Sequence, residues 1–212
     1  MPTITNNYIL EITVFMCGAV VMVFEIVGSR AFAPYLGTSI FVWTSLIGVI
    51  LGSLSIGYWL GGKIADKKAT LVILSTVIFL SAISIGLTMF IQKPLLSWFT
   101  QLYPFSIKMG SVLMSLVLFA PTGALLGIVL PYAVKLKMKN LDTSGSTVGR
   151  LYALSTIGSI VGTFLAGFFL IPLLGTTKIF ISLSIALILV SATLCAKQIK
   201  NPIPRETEGQ DV

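Results

Sequence analysis

Long apolar runs alternate with short polar segments along this chain, and the pattern predicts six helices and no strands. Each run is long enough to cross a hydrocarbon core about 30 Å thick at about 1.5 Å per residue. We place the spans at Ile9–Arg30, Ile40–Gly62, Thr70–Gln92, Met109–Val134, Leu151–Leu173 and Ile179–Ala196. We therefore expect an all-α integral membrane protein with one six-helix transmembrane domain over residues 1–196 and a disordered cytoplasmic tail over 197–212.

The second and fifth spans resemble each other. Residues 45–60 return as residues 155–170, 110 positions later, with seven identities in step. A shorter match relates Gly18 and the next three residues to Gly123 and its successors, at an offset of 105, and unequal loops would explain the difference. Three spans per copy is an odd number, so the second copy would enter the membrane from the opposite side. We predict a 3+3 inverted repeat, near residues 9–92 and 109–196; chance similarity among apolar helices is the alternative.

Composition and charge agree with a lipid surrounding. Only 10% of residues are charged and the mean hydropathy is +1.00, which soluble domains rarely reach. The net charge of +7 could suggest nucleic acid, but ten of the fourteen basic residues fall on one side of the predicted bundle. The positive-inside rule then places both termini in the cytoplasm. We expect a multi-pass protein of a prokaryotic plasma (inner) membrane, with the lipid bilayer and not nucleic acid as its partner.

Several kinds of chemistry are disfavoured. The first span has no Lys or Arg before it and carries Glu25 where a signal-peptide cleavage region would lie, so we expect a retained helix. The chain has no histidine, and Cys17 and Cys195 both fall inside spans. We therefore predict no metal, disulfide or cofactor.

Prolines and aromatic residues modify the middle of the chain. Pro121 and Pro131 lie inside the fourth span, where a proline removes one backbone hydrogen bond, so we expect a kinked or interrupted helix. The segment Pro94–Lys108 is apolar and aromatic but too short to cross the membrane. We expect it to lie in the outer interface.

Glu25 is the residue most suggestive of function. An acidic side chain inside a span costs roughly 2.5–3.5 kcal/mol on insertion scales and marks a functional or paired site. It shares a helix face with Glu11 and Gly18, and the two carboxylates lie about 21 Å apart along the helix. Two interpretations stay open: structural pairing with Arg30, Tyr35 or nearby backbone, and a cation or proton site.

Aromatic and small residues add further candidates. Tyr35, Trp43, Tyr58 and Trp59 could line a cation route, or form an interfacial aromatic belt. Small residues recur every fourth position on the second and fifth spans, which permits close helix packing and could also allow helices to slide. They are Gly48 and Gly52; Ser53, Gly57 and Gly61; and Gly158, Gly162 and Ala166.

Two resemblances carry functional implications. The turn Gly61–Lys68 resembles the glycine-and-aspartate motif between the second and third helices of major facilitator transporters, although the motif's later Gly-Arg is absent. This resemblance implies that Asp66 joins a charge network holding the cytoplasmic gate, with Lys67 as the motif's basic residue. We include Arg150 among the gate residues.

The second resemblance covers nearly the whole chain. Residues 25–45 (EIVGSRAFAPYLGTSIFVWTS) and residues 149–175 from Gly149-Arg150-Leu151-Tyr152-Ala153 onward are similar to the membrane domain of integral-membrane spermidine synthase-like proteins. Many members have Asn-Thr where this chain has Ser155-Thr156. Such proteins usually continue into a cytosolic aminopropyltransferase domain, and no strand-rich segment or glycine-rich nucleotide turn occurs here, so we expect no enzyme activity from this chain.

These patterns together predict half of a major facilitator-like transporter, working as a homodimer or in a complex with another six-helix protein, and moving a small cationic solute such as a polyamine. Glu25, Tyr35, Trp43 and Tyr152 are the candidate substrate or proton site. The alternative is a non-transporting anchor or regulatory subunit for a separate cytosolic spermidine synthase-like enzyme.

Overall fold

The computed structural model describes residues 8–102, 107–138 and 144–200, and in these ranges the chain is helical without strands. The helices are α1 Tyr8–Leu36, α2 Ile40–Lys67, α3 Leu71–Leu102, α4 Ile107–Lys137, α5 Ser144–Leu165 and α6 Thr176–Lys200; α5 continues into a π-helical turn, Ala166–Leu170, and a short α-helical stretch, Ile171–Leu173. Six helices in this part of the chain are long and apolar enough to span a membrane, which indicates a multi-pass membrane protein.

The helices extend past the predicted spans because backbone hydrogen bonding continues into the polar flanks. Most of Pro94–Lys108 is not a separate interfacial segment: α3 runs through Pro94 to Leu102. Leu96 and Phe99 are buried there, and the Phe99 ring packs against α4 at Gly110. Helix α6 likewise includes residues 197–200, so helix occupies the start of the expected tail, whose residues 201–212 lie outside the described part.

Of the two expected effects of the prolines in the fourth span, a kink or an interruption, the interruption is not found. Helix α4 is uninterrupted across Pro121 and Pro131. The irregular turn instead precedes Pro172, where the backbone N–H of Ile171 bonds to the carbonyl of Ala166, five residues back. Proline cannot donate and crowds the carbonyl four residues earlier, and a π turn is one way to relieve that crowding.

The helices run alternately up and down between two ends. We use the name basic end for the end of the bundle at which α1, α3 and α5 begin and at which α2, α4 and α6 finish. There the buried Tyr132 hydroxyl donates to the Lys68 carbonyl at 2.6 Å and accepts from the Thr70 amide at 2.9 Å, which fixes the α2–α3 turn to α4. At the opposite end, α1 stops at Gly37, whose φ of +77° suits glycine and whose amide donates to the Ala33 carbonyl at 3.1 Å.

Helices α1 and α4 form the centre of the bundle and are the most buried, whereas α5 is the least buried. The most extensive packing joins α2 to α4, α5 to α1, and α3 to α6. Phe24 on α1 contacts Phe119 on α4 with ring centroids 4.8 Å apart, and Phe180 on α6 at 5.7 Å. This core leaves α2 and α5 on either side of a gap backed by α1 and α4.

Candidate functional site

A cavity of about 210 Å³ occupies the gap between α1, α2, α4 and α5. Most of its lining is aliphatic, and the hydroxyl groups of Tyr58, Ser155 and Ser159 supply polarity. Two lining residues on α2, Leu51 and Tyr58, are 55% and 41% exposed. The cavity therefore opens sideways, on the face of the bundle that α2 and α5 border.

Glycines explain why α1 and α5 approach so closely beside this cavity. A Cβ at Gly158 would collide with the Phe15 carbonyl, and one at Gly162 with the Ala19 carbonyl. The other two glycines predicted to pack helices, Gly48 and Gly52, are exposed and have open space around them. Of the four glycines Gly48, Gly52, Gly158 and Gly162, the α5 pair contacts a neighbouring helix of the described chain and the α2 pair does not.

A buried charge cluster lies at the basic end, one helical turn from the cavity wall at Val14. Glu11 accepts a hydrogen bond from the Lys137 ammonium on α4 and another, at 3.0 Å, from the Arg150 guanidinium on α5. The Glu11 and Lys137 side chains are only 9% and 11% exposed, whereas Arg150 is 59% exposed. Glu11 lies in the first turn of α1 and Lys137 in the last turn of α4, where each charge complements its helix dipole. The cluster ties three helices together and carries a net charge of +1.

The other two predicted gate residues lie at the same end. Asp66 on α2 pairs with Lys135 on α4 at 2.6 Å, and not with its neighbour Lys67. Both side chains of the pair are largely exposed, at 69% for Asp66 and 46% for Lys135. Such a pair contributes at most about 1 kcal/mol, so Glu11 is the stronger tie.

Glu25 is buried, with 8% of its surface exposed. In the described part of the chain its carboxylate makes no hydrogen bond or ion pair, and Arg30 is exposed and does not contact it. It lies on the face of α1 that lines the cavity, one turn beyond Met22, but is not itself part of the lining. Pairing with Arg30 is thus not the arrangement found.

The predicted aromatic site residues are divided between the two ends of the bundle. Tyr35 and Trp43 belong to the opposite end, close to where α1 finishes and α2 begins, and both are half-buried. Tyr152 lies near the start of α5, at the basic end, and is 48% exposed. None of the three lines the cavity, and in the described part of the chain no hydrogen bond joins any of them to Glu25.

Among the residues that organise the basic end, the sequence points to Arg150 and Asp66 but not to Lys137 or Tyr132. It points to Glu11 only through the face that this residue shares with Glu25. A signal was present: Glu11 lies in the first turn of an apolar span, and basic residues lie where neighbouring spans meet the same end.

Among the described residues, no group of His, Cys, Asp or Glu side chains could hold a metal ion.

Comparison of the chain with protein-family models, curated proteins and solved structures found no match.

Proposed function

We propose that this protein is a half-transporter that moves a small cationic solute, such as a polyamine, through a pathway formed with a second copy of itself. The observation that carries the proposal is the cavity between α1, α2, α4 and α5, which opens sideways and has the Glu11 cluster one helical turn from its wall at the basic end. A polar solute in a pathway that is open to lipid on one side would not be shielded from the hydrocarbon. A second copy would supply the missing wall.

Helix packing supports an inverted repeat. The contact of α2 with α4 corresponds to that of α5 with α1, and α3 packs on α6. A Cβ at Gly57 would collide with the Ala124 carbonyl, just as one at Gly162 would with Ala19. Both pairs of positions differ by 105 (162 − 57 and 124 − 19). Because α1 and α4 run in opposite directions, such a repeat is inverted, as in major facilitator halves.

Exposed small residues support the second copy. Gly48 and Gly52 lie on the exposed surface of α2, with open space where a Cβ would be. Contact with lipid alone gives no physical reason for glycine at these two positions. In membranes, helices approach closely along such positions. Two copies related by an axis along the membrane normal would place both sets of termini on one side, and this would be the cytoplasmic side of a prokaryotic plasma membrane if the positive-inside rule holds.

Glu25 supports a cationic solute. A buried carboxylate without a partner is costly in a membrane, and binding a cation would remove that cost. A polyamine ammonium at Glu25 would leave its methylene groups beside the aliphatic wall formed by Met22 and its neighbours. The Glu11 cluster and the Asp66–Lys135 pair would hold the basic end closed while the solute binds.

The test is uptake of labelled spermidine and putrescine into proteoliposomes, with and without a pH gradient. We expect uptake by the wild type and by the control Ser182→Ala, an exposed change on α6, and none by Glu25→Gln. Absence of uptake by a folded wild type contradicts transport of these solutes. Equal uptake by Glu25→Gln contradicts the role of Glu25 and leaves transport standing.

A second candidate is a membrane anchor or regulatory subunit for a separate cytosolic aminopropyltransferase. Exposed cations at the basic end favour it: Lys63, which lies over the Trp59 ring at 3.5 Å, Lys67 and Lys68. They would suit an acidic protein surface. Co-purification of a synthase that is lost when these lysines are changed to Gln would support this function over transport.

A further inference from the structure

Arg150 has hydrogen-bonding capacity that its partner does not use. A guanidinium carries five N–H donors in a planar fork. Glu11 is its one acceptor among the described residues, through a single 3.0 Å bond from Nη2. With 59% of the side chain exposed, Arg150 is accessible from outside the described bundle.

Among the described residues, the charges in the cluster around Arg150 do not balance. Glu11 carries one negative charge against the positive charges of Lys137 and Arg150. Because Lys137 is only 11% exposed, an external anion can reach this excess charge only through Arg150. Arg150 is also the cation whose geometry matches a phosphate, through two parallel N–H···O bonds.

The surface of α5 beside Arg150 is open and lined by small residues. Gly145 and Gly149 have nothing within 4 Å of the position a Cβ would occupy. Ala153 and Thr156 continue this exposed face along the helix towards the bilayer centre. Tyr152, 48% exposed, lies two residues from Arg150 along α5, and aromatic side chains are enriched at the headgroup level. An acyl chain fits the open face while its headgroup remains level with Arg150.

We infer that Arg150 binds the phosphate of an anionic phospholipid whose acyl chain lies along the Gly149–Thr156 face of α5. The lipid phosphate and the Glu11 carboxylate then share one guanidinium, which neutralises the excess charge of the cluster. This assignment does not rest on transport, because it uses only the cluster and the surface of α5.

The test measures thermal unfolding of the full chain in mild detergent with added phosphatidylglycerol, phosphatidylcholine or inorganic phosphate. We expect phosphatidylglycerol to raise the unfolding temperature more than phosphatidylcholine does. In Arg150→Gln its apparent affinity falls by about fivefold, the loss expected for one basic side chain at an anionic surface. The matched control is Arg30→Gln, an exposed arginine at the opposite end, which should behave as the wild type.

Three results would overturn the inference: equal effects of the two lipids, an unchanged phosphatidylglycerol response in Arg150→Gln, or an equal loss in Arg30→Gln. Inorganic phosphate reproducing the whole effect would indicate a free-anion site and contradict the lipid assignment. Gly149→Leu provides a second variant, since it fills the open face and leaves the charges intact. Its phosphatidylglycerol response should fall with its folding unchanged, and an undiminished response contradicts the inference.

Discussion

The three carboxylates at Glu11, Glu25 and Asp66 allow one substitution, carboxylate to amide, to be compared in three environments. Glu11 is buried and shared by two cations, Glu25 is buried with no partner in the described chain, and Asp66 is exposed with one partner. The amide is nearly the same size as the carboxylate, so differences in stability report charge interactions and not packing. The three variants should therefore separate widely.

Glu11→Gln leaves the Lys137 ammonium buried without a counter-charge, and breaking a buried pair in this way costs about 3–5 kcal/mol. For a chain of this length that corresponds to a fall of about 6–20 °C in the unfolding temperature. Asp66→Asn removes an exposed pair and should cost about 0.2–1 kcal/mol. Glu25→Gln removes no ion pair and should leave the unfolding temperature unchanged or slightly higher.

The assay is thermal unfolding of each variant in one detergent at neutral pH, followed by intrinsic tryptophan fluorescence. A double variant, Glu11→Gln with Lys137→Met, tests the cause, because removing the stranded cation should recover much of the loss. Equal losses in Glu11→Gln and Asp66→Asn would refute the claim that burial sets the strength of these pairs. Failure of the double variant to recover would refute the stranded-charge explanation.

Three further sets of substitutions test the packing. Tyr132→Phe removes both bonds to the α2–α3 turn and should cost about 1–3 kcal/mol, with faster amide exchange confined to that turn in hydrogen-exchange mass spectrometry. Phe119→Ala empties the centre of the aromatic cluster and should cost about 3–5 kcal/mol in denaturant unfolding. Gly57→Val and Gly162→Val each place a side chain against a backbone carbonyl and should lower the thermal stability of the monomer. Gly52→Val faces open space and should leave that stability unchanged. Equal effects at all three glycines would contradict this packing.

The sequence predicted the six spans because crossing a membrane requires a long apolar run, and that requirement is visible without knowledge of neighbours. Helix ends were harder to predict, since residues such as Lys67 and Lys200 remain helical beyond the apolar run. The ion pairs of Glu11 could not be predicted from the sequence, for another reason. Its partners lie 126 and 139 positions away in sequence, and only the packing of α1 against α4 and α5 selects them among fourteen basic residues.

The surroundings of a buried side chain cannot be predicted from its own sequence position, which explains why the substrate site could be predicted only in part. A carboxylate inside an apolar span signals importance without saying what surrounds it, so Glu25 could be selected, and its five-residue spacing from Arg30 already disfavoured that pair, but its surroundings could not be predicted. Tyr35, Trp43 and Tyr152 were grouped with it because aromatic rings suit cations. Their places near helix ends, which follow from span boundaries, equally suit an interfacial belt.

The spacing of small residues explains why the sequence match and the packing relate α2 and α5 at different offsets. Helix α2 carries one stripe with Gly48 and Gly52 and a second of Ser53, Gly57 and Gly61, each with four-residue spacing. Sequence similarity pairs the first stripe with α5 at an offset of 110, but that stripe is exposed. The second stripe is buried against α4, as the α5 stripe of Gly158, Gly162 and Ala166 is buried within the bundle, and these positions correspond at 105. Five residues rotate a helix by about 140° and advance it by about 7.5 Å, so the offset of 110 would turn the contact face away from the neighbouring helix. The proposed repeat therefore rests more securely on packing, where one offset of 105 serves both helix pairs, than on the longer run of identities.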